Sequence, residues 1–246
     1  MPAPVALLSV GELRKTFTLH HVGGRRIVAL DGVSVDVGAG EHVAVAGTSG
    51  SGKSSLLKCI YRTYRPDAGS VRLDGTELLE LTDAAMADRR EHDLGYVSQF
   101  LRAEPRRGAL DVVTRAATHR GLAPSDARDA AATALRRVGI GEALWATYPT
   151  LLSGGEKQRV NLAAGTVSPP RLLLLDEPVS ALDPANREAV LEFITGLAAA
   201  GVAVLSVFHD LDAMRRVADR VVVLHDGTVI ASGAPADVLD AVEATA

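Results

Sequence analysis

Gly47-Thr48-Ser49-Gly50-Ser51-Gly52-Lys53-Ser54 is the stretch on which the reading of this chain turns. It fits G-x-x-x-x-G-K-[ST], the pattern of a phosphate-binding loop. Glycines suit this task because backbone N–H groups must converge on a polyphosphate with no side chain in the way. A helix that starts where the loop ends adds a dipole favouring anions. Lys53 is expected to reach the terminal phosphates, and the Ser54 hydroxyl to ligate Mg²⁺. Gly47, Thr48, Ser49, Gly50, Ser51, Gly52 and Ser55 complete the expected cradle. The flanks agree: Glu41 to Ala46 is an apolar strand, and Leu56-Leu57 opens an apolar helix. A chance Gly/Ser turn has no reason to sit between them.

Two further stretches answer the loop. Leu172-Leu173-Leu174-Leu175-Asp176-Glu177 is an apolar run followed by two acids. By itself this could be a buried strand ending in a solvated turn. Beside a phosphate loop, Asp176 stands at the carboxyl end of a strand, where ligands bind in open α/β sheets. There it would hold Mg²⁺ through water, and Glu177 would polarise an attacking water. The third stretch, Leu152-Ser153-Gly154-Gly155-Glu156-Lys157-Gln158-Arg159, puts two glycines just inside a helix start. Each costs about 1 kcal/mol against alanine, so they need a reason. A helix N-terminus capped by Ser153 is a second anion site, and bare backbone lets a phosphate approach. One chain needs one phosphate cradle; two suggest that each serves a different subunit.

The remaining pattern sets the fold class. Val5 to Val10, Ile27 to Val37, Val71 to Leu73, Leu94 to Val97, Val202 to Val207 and Val221 to Leu224 read as strands. His20 to Arg26 reads as a hairpin tip; its two histidines have no third ligand nearby and are taken as loop residues. Gly108 to Thr166 is alanine-rich and helical in period, broken at Gly121-Leu122-Ala123-Pro124. Strand–helix alternation on either side predicts an α/β fold with a mostly parallel sheet. The helical part, about residues 100–166, is an insertion in a single domain spanning 1–246.

Composition narrows the partners. A chain of 246 residues, 47% hydrophobic and 23% charged, can bury a large core under a charged surface. The formal net charge of -4 argues against broad binding to nucleic acid or an anionic membrane. The single cysteine, Cys59, excludes an internal disulfide and reads as a small packed residue. No apolar run approaches the ~20 residues of a membrane span, and no signal peptide is evident. The expectation is a soluble cytoplasmic protein that meets membranes only through a partner.

In these motifs, and in their order, the chain resembles the ATP-binding-cassette ATPases over nearly its full length. The resemblance implies their fold: a phosphate-loop core, an N-terminal antiparallel β subdomain and an inserted helical subdomain. It implies ATP and Mg²⁺ as ligands, and a second such subunit, identical or related, as partner. Gln99 matches the glutamine that contacts Mg²⁺ in the family. Ser180-Ala181-Leu182-Asp183 matches its dimer-contact loop, and His209 its γ-phosphate-contacting histidine. Ser153, Gly154, Gly155 and Glu156 match its signature, which closes on the partner's nucleotide. Phe17 sits where the family stacks an aromatic on adenine, with core packing as the alternative.

Within the family, Lys15 to His20, Tyr96-Val97-Ser98-Gln99-Phe100-Leu101-Arg102 and Val207-Phe208-His209-Asp210 are similar to one branch. That branch is the L-type ATP-binding subunits of the phosphonate carbon–phosphorus lyase system. It implies the lyase core subunits as partners and support for making a ribose 1-phosphonate 5-triphosphate from ATP and an alkylphosphonate. The alternatives are the motor of a membrane transporter, for export or lipoprotein release, and an ATP-driven assembly factor. Under the phosphonate and the transporter readings alike, Arg102 to Arg107 and the helices after it would dock the partner. The chain departs from common family choices at Thr48, Ser55 and Ala164, and none of these departures removes a phosphate or metal ligand.

Overall fold

The computed structural model describes residues 6–19, 24–99, 101 and 106–243. His20 to Gly23 of the expected hairpin tip lie outside the described residues, as do Phe100 and Arg102 to Pro105 after Gln99.

The N-terminal strands are β1 (Leu8–Leu19) and β2 (Arg25–Val37), followed by β3 (His42–Ala46) and helix α1 (Lys53–Ile60). Next come β4 (Ala68–Leu73), β5 (Thr76–Glu77), α2 (Asp83–His92) and β6 (Leu94–Val97). The helical stretch is α3 (Ala109–His119), α4 (Pro124–Arg137) and α5 (Gly154–Thr166). The chain returns through β7 (Leu172–Asp176), α6 (Pro184–Ala199), β8 (Ala203–Val207) and α7 (Leu211–Val217). It closes with β9 (Arg220–His225), β10 (Thr228–Gly233) and α8 (Pro235–Glu243).

These strands make two sheets. One is antiparallel, in the order β2-β1-β4-β5. In its strand β2, Val33, Val35 and Val37 point inward and Ser34 and Asp36 outward, the period-2 pattern of a half-buried strand. β1 runs well past the expected Val5 to Val10. The pairing slips between Val10 and Leu13, where Glu12 takes a left-handed φ of 48°. This bulge breaks the alternation on which a sequence reading depends.

The second sheet has the order β10-β9-β3-β8-β7-β6, parallel except for β10. Its central strands β3, β7 and β8 are buried at every position, so they read as near-continuous apolar runs. Alternate residues feed two cores. Ala44, Leu173, Leu175 and Val204 pack on one side with residues of α3 to α6. Val43, Leu172, Leu174 and Leu205 pack on the other with α1 and the antiparallel sheet. Cys59 is buried there, and burial pushes its thiol up to about 11, as suits a packed residue.

In the helical stretch, Gly121 with φ 79° ends the turn after α3, and Pro124 starts α4 at its first position. Ala127, Ala131, Ala134 and Leu135 are buried on α4, facing Ala109, Leu110, Val113 and Ala117 of α3. Small residues let the two helices approach closely.

One buried group makes stability depend on pH. His42, on β3, is fully buried, and its Nε2 lies 2.8 Å from Ser206 Oγ. Burial lowers its pKa to about 4, against the opposing pull of Asp219. The unfolded chain, with an ordinary histidine, therefore takes up this proton first as pH falls. Stability from this group is complete above the unfolded value and declines through the window from 6.5 down to about 4. Between pH 7 and pH 5 the loss is about 2 kcal/mol. Denaturant unfolding at the two pH values should show this difference, and His42→Leu should shrink it. An unchanged difference in the variant would assign the acid sensitivity elsewhere.

Candidate functional site

The loop from Gly47 to Gly52 leaves β3 and enters α1. Gly47 and Gly52 have φ values of 143° and 106°. A Cβ at Gly47 would stand 2.2 Å from the Leu224 carbonyl oxygen, and one at Gly52 2.2 Å from that of Ala29. Backbone packing thus demands glycine at both positions. Gly50 differs: its φ is 82° and the space beside it is open, which suits an approaching ligand. Lys53 Nζ lies across the loop and donates to the carbonyls of Gly47 and Thr48, each at 2.7 Å. Burial draws the Lys53 pKa down, while the nearby Glu177 and Asp176 push it up. Ser51 Oγ is buried in the loop with no hydrogen-bond partner among the described residues.

Three parallel neighbours, β6, β7 and β8, end side by side. Their register brings together residues far apart in sequence. Gln99 follows β6, Asp176 ends β7, Glu177 comes next, and His209 follows β8. Gln99 Nε2 donates to Glu177 Oε2 at 2.9 Å, and His209 Nε2 lies 2.7 Å from Glu177 Oε1. The Glu177 carboxylate is therefore held from both sides. Its backbone is in the left-handed region, with φ 55°, a costly place for a residue with a side chain. Asp176 is 4% exposed; its Oδ1 accepts from Ser54 Oγ at 2.8 Å and its Oδ2 from Tyr96 Oη at 3.1 Å.

An open cavity of about 270 Å³ joins these parts. It is lined by Ser49, Lys53 and Ser55 of the loop and helix, by Glu177 and His209, and by the apolar Phe17 and Ile27. Phe17 is half-buried, edge-on to Tyr64 at 5.1 Å, and belongs to neither buried core. Of its two readings, the cavity position favours the stacking one. Beyond Asp176 lies a second cavity of about 390 Å³, lined by Ser54, Tyr96, Ser98, Gln99 and Asn161.

The residues fit a magnesium-bound nucleoside triphosphate. The bare backbone at Gly50 and the lysine, both lining the cavity, are groups that a polyphosphate satisfies. Ser54, Asp176 and Gln99 offer the oxygen donors that a hard cation takes. Among the described residues there is no cluster of three or more His, Cys, Asp and Glu side chains fit for a metal, so the nucleotide's own phosphates would complete the shell.

Ser153, Gly154, Gly155 and Glu156 are placed elsewhere: none lines this cavity. Ser153 caps α5, its Oγ accepting from Glu156 N at 3.2 Å, while Glu156 Oε2 accepts from Ser153 N at 2.7 Å. Those bonds from Ser153 hold the Glu156 carboxyl below its ordinary range. The Glu156 side chain is thus engaged in the cap, while Ser153 and Gly154 are exposed at the start of the helix. Asn161 on α5 donates to the Ser98 carbonyl at 2.6 Å, tying this helix to the segment before Gln99. Sequence reading gave neither Asn161 nor Tyr96 a role at the site, although Tyr96 opens a stretch quoted for the family resemblance. An aromatic on a strand and an amide in a helix carry no motif, and only the packing shows what they touch.

Comparison with known proteins agrees with this geometry. A family model described as "ABC transporter" matches residues 30–180. Two Bacillus subtilis proteins named as uncharacterized ABC transporter ATP-binding proteins, YknY and YvrO, are 31% and 34% identical. Each match covers 91% of this chain, and 95% and 96% of those proteins. A methionine import ATP-binding protein of Histophilus somni is 33% identical over 92% of this chain, which spans 66% of that relative's length. Among solved structures, the ATP-binding cassette MJ0796, described as a dimer in a post-hydrolysis state bound to ADP and Pi, aligns with a TM-score of 0.87. It is 28% identical, over 93% of this chain and 98% of that one.

Proposed function

This chain belongs to the ABC transporter family, and from that premise we propose that it is the ATP-hydrolysing motor subunit of a membrane transporter. The observation that carries ATP hydrolysis is the carboxylate of Glu177, fixed between Gln99 and His209 at the mouth of the phosphate loop. In this reading the loop backbone and Lys53 bind the phosphates, and Ser54 and Asp176 hold Mg²⁺, whose charge offsets that of the phosphates. Glu177 orients a water and draws on its proton, and His209 steadies the carboxylate. Phe17 stacks on the base.

The separation of the two cradles supports a composite site in which Ser153 and Gly154 close on the nucleotide of a second subunit. The dimer described for MJ0796 supports the same reading. Coupling to transport is supported by the nearly full-length likeness to bacterial transporter ATP-binding proteins. None of the described helices is long and apolar enough to cross a membrane, and in this reading a permease supplies the path.

The phosphonate-lyase reading gains no support from these comparisons, and the transporter alternative fits them better. One of its carriers has a packing explanation. Phe208, in Val207-Phe208-His209-Asp210, is 1% exposed and sits in the core, its ring 6.3 Å from that of His42. Such a residue reports on how β8 packs and not on what the subunit serves.

Purified from its own cells under gentle detergent, the chain should bring down an integral-membrane protein, and a membrane preparation lacking the chain should lose ATP-dependent transport. Recovery of phosphonate-cleaving subunits in place of a permease would reverse the assignment.

A further inference from the structure

Asp176 is nearly buried, yet both of its carboxylate oxygens have donors on different elements. Ser54 Oγ, from α1, serves Oδ1, and Tyr96 Oη, from β6, serves Oδ2. A carboxylate with one donor can still swing about its last torsion; two donors on separate oxygens fix its plane. Tyr96 is itself braced. Its ring stacks on Tyr61, with centroids 5.1 Å apart and planes 25° apart. Tyr61 follows directly on α1, the helix that carries Ser54. The Arg90 guanidinium lies 4.9 Å from the Tyr61 ring centre, and its Nε and Nη2 donate to the Tyr61 carbonyl at 3.1 and 2.9 Å. A continuous brace thus runs from α2 through two aromatic rings to Asp176.

We propose that Tyr96 is a positioning residue for the metal: its hydroxyl locks the Asp176 carboxylate so that Oδ1 faces Ser54 and the Mg²⁺ that arrives with ATP. The proposal rests on the reading of Asp176 as a metal-holding group. A neutral hydroxyl suits the task, because it orients the carboxylate without cancelling the charge that attracts the cation. Groups that orient metal ligands typically matter by ten- to a hundredfold in metal affinity.

Tyr96→Phe keeps the ring and its stack and removes only the hydroxyl. Mn²⁺ can replace Mg²⁺ as a spectroscopic probe, titrated into protein loaded with a non-hydrolysable ATP analogue and read by electron paramagnetic resonance. Tyr96→Phe should weaken Mn²⁺ binding about tenfold. Analogue affinity in the presence of a chelator and the melting temperature should stay at wild-type values. Unchanged Mn²⁺ affinity overturns the proposal. So does a matching fall in metal-free binding or in melting temperature, which would make the hydroxyl a general structural bond. Asp176→Asn, measured alongside, separates the two levels. Lost Mn²⁺ affinity in Asp176→Asn with none lost in Tyr96→Phe removes the proposal alone. Unchanged affinity in Asp176→Asn removes the reading of Asp176, and the proposal with it.

Discussion

Glu177→Gln is expected to slow ATP hydrolysis about a thousandfold, within the range for losing a positioned general base. Glutamine has nearly the volume of glutamate and its amide can still meet Gln99 or His209, so the frame around the site should persist. What it loses is the ability to accept a proton and the negative charge that polarises a water. In the proposed reading, binding of MgATP rests on other groups: the loop backbone, Lys53, Ser54 and Asp176. The variant should therefore bind ATP as the wild type does and, with turnover blocked, accumulate as an ATP-bound dimer on size-exclusion chromatography. Lys53→Ala is the contrasting control, because it removes the phosphate contact itself. Hydrolysis by Glu177→Gln at the wild-type rate would show that another group activates the water.

A comparable loss of hydrolysis, on the order of a hundredfold or more, is expected from Gly154→Asp, this time exerted on the other subunit. A Cβ at Gly154 would meet only the Ala181 side chain, at an ordinary 3.6 Å, so the monomer has room for it. Gly155 is the poorer choice, since its Cβ would press to 3.2 Å on the Ala181 carbonyl oxygen and on Leu182. An aspartate in the first turn of α5 also suits the helix dipole, by roughly 0.3–1 kcal/mol, so stability should hold or rise slightly. Yet the same side chain fills the bare backbone and sets a negative charge where a phosphate would dock. Nucleotide binding to the monomer should be spared. Mixing Gly154→Asp with Lys53→Ala makes the test decisive. One mixed dimer pairs an intact phosphate loop with an intact cradle at one of its two sites and should recover about half of wild-type turnover. Well-mixed dimers that stay inactive would mean that each chain completes its own site.

Much of this was legible in the sequence, and the reasons are physical. The phosphate loop could be read because close backbone approach forces glycine at Gly47 and Gly52. Strands β3, β7 and β8 could be read because burial on both faces leaves mostly apolar residues, with only His42, Asp176 and Ser206 as exceptions. Ser153 could be read as a cap because the cap bond requires a short oxygen side chain. What stayed hidden depends on register between distant segments. The bulge at Glu12 concealed the length of β1. β10, at a sheet edge with four of its six positions only partly buried and Ile230 exposed, shows no clean apolar alternation in its sequence. Tyr96 and Asn161 act through partners eighty and sixty-three positions away, at Asp176 and Ser98. Gln99 and His209 were placed by family resemblance, and only the parallel register of β6, β7 and β8 explains why they meet at Glu177.

The left-handed backbone of Glu177 sets thermal endurance against turnover. Holding a glutamate there costs the fold roughly 1 kcal/mol or more, a cost that glycine or asparagine would largely relieve. The strain is tolerated because β7 and the bonds from Gln99 and His209 over-determine the position. Heat selection with no demand for activity would favour replacing Glu177, and each such gain in melting temperature would remove the group proposed to activate water. A stabilised form of this protein that still turns over must draw its improvements from elsewhere, such as the exposed faces of α4 and α6, and leave position 177 strained.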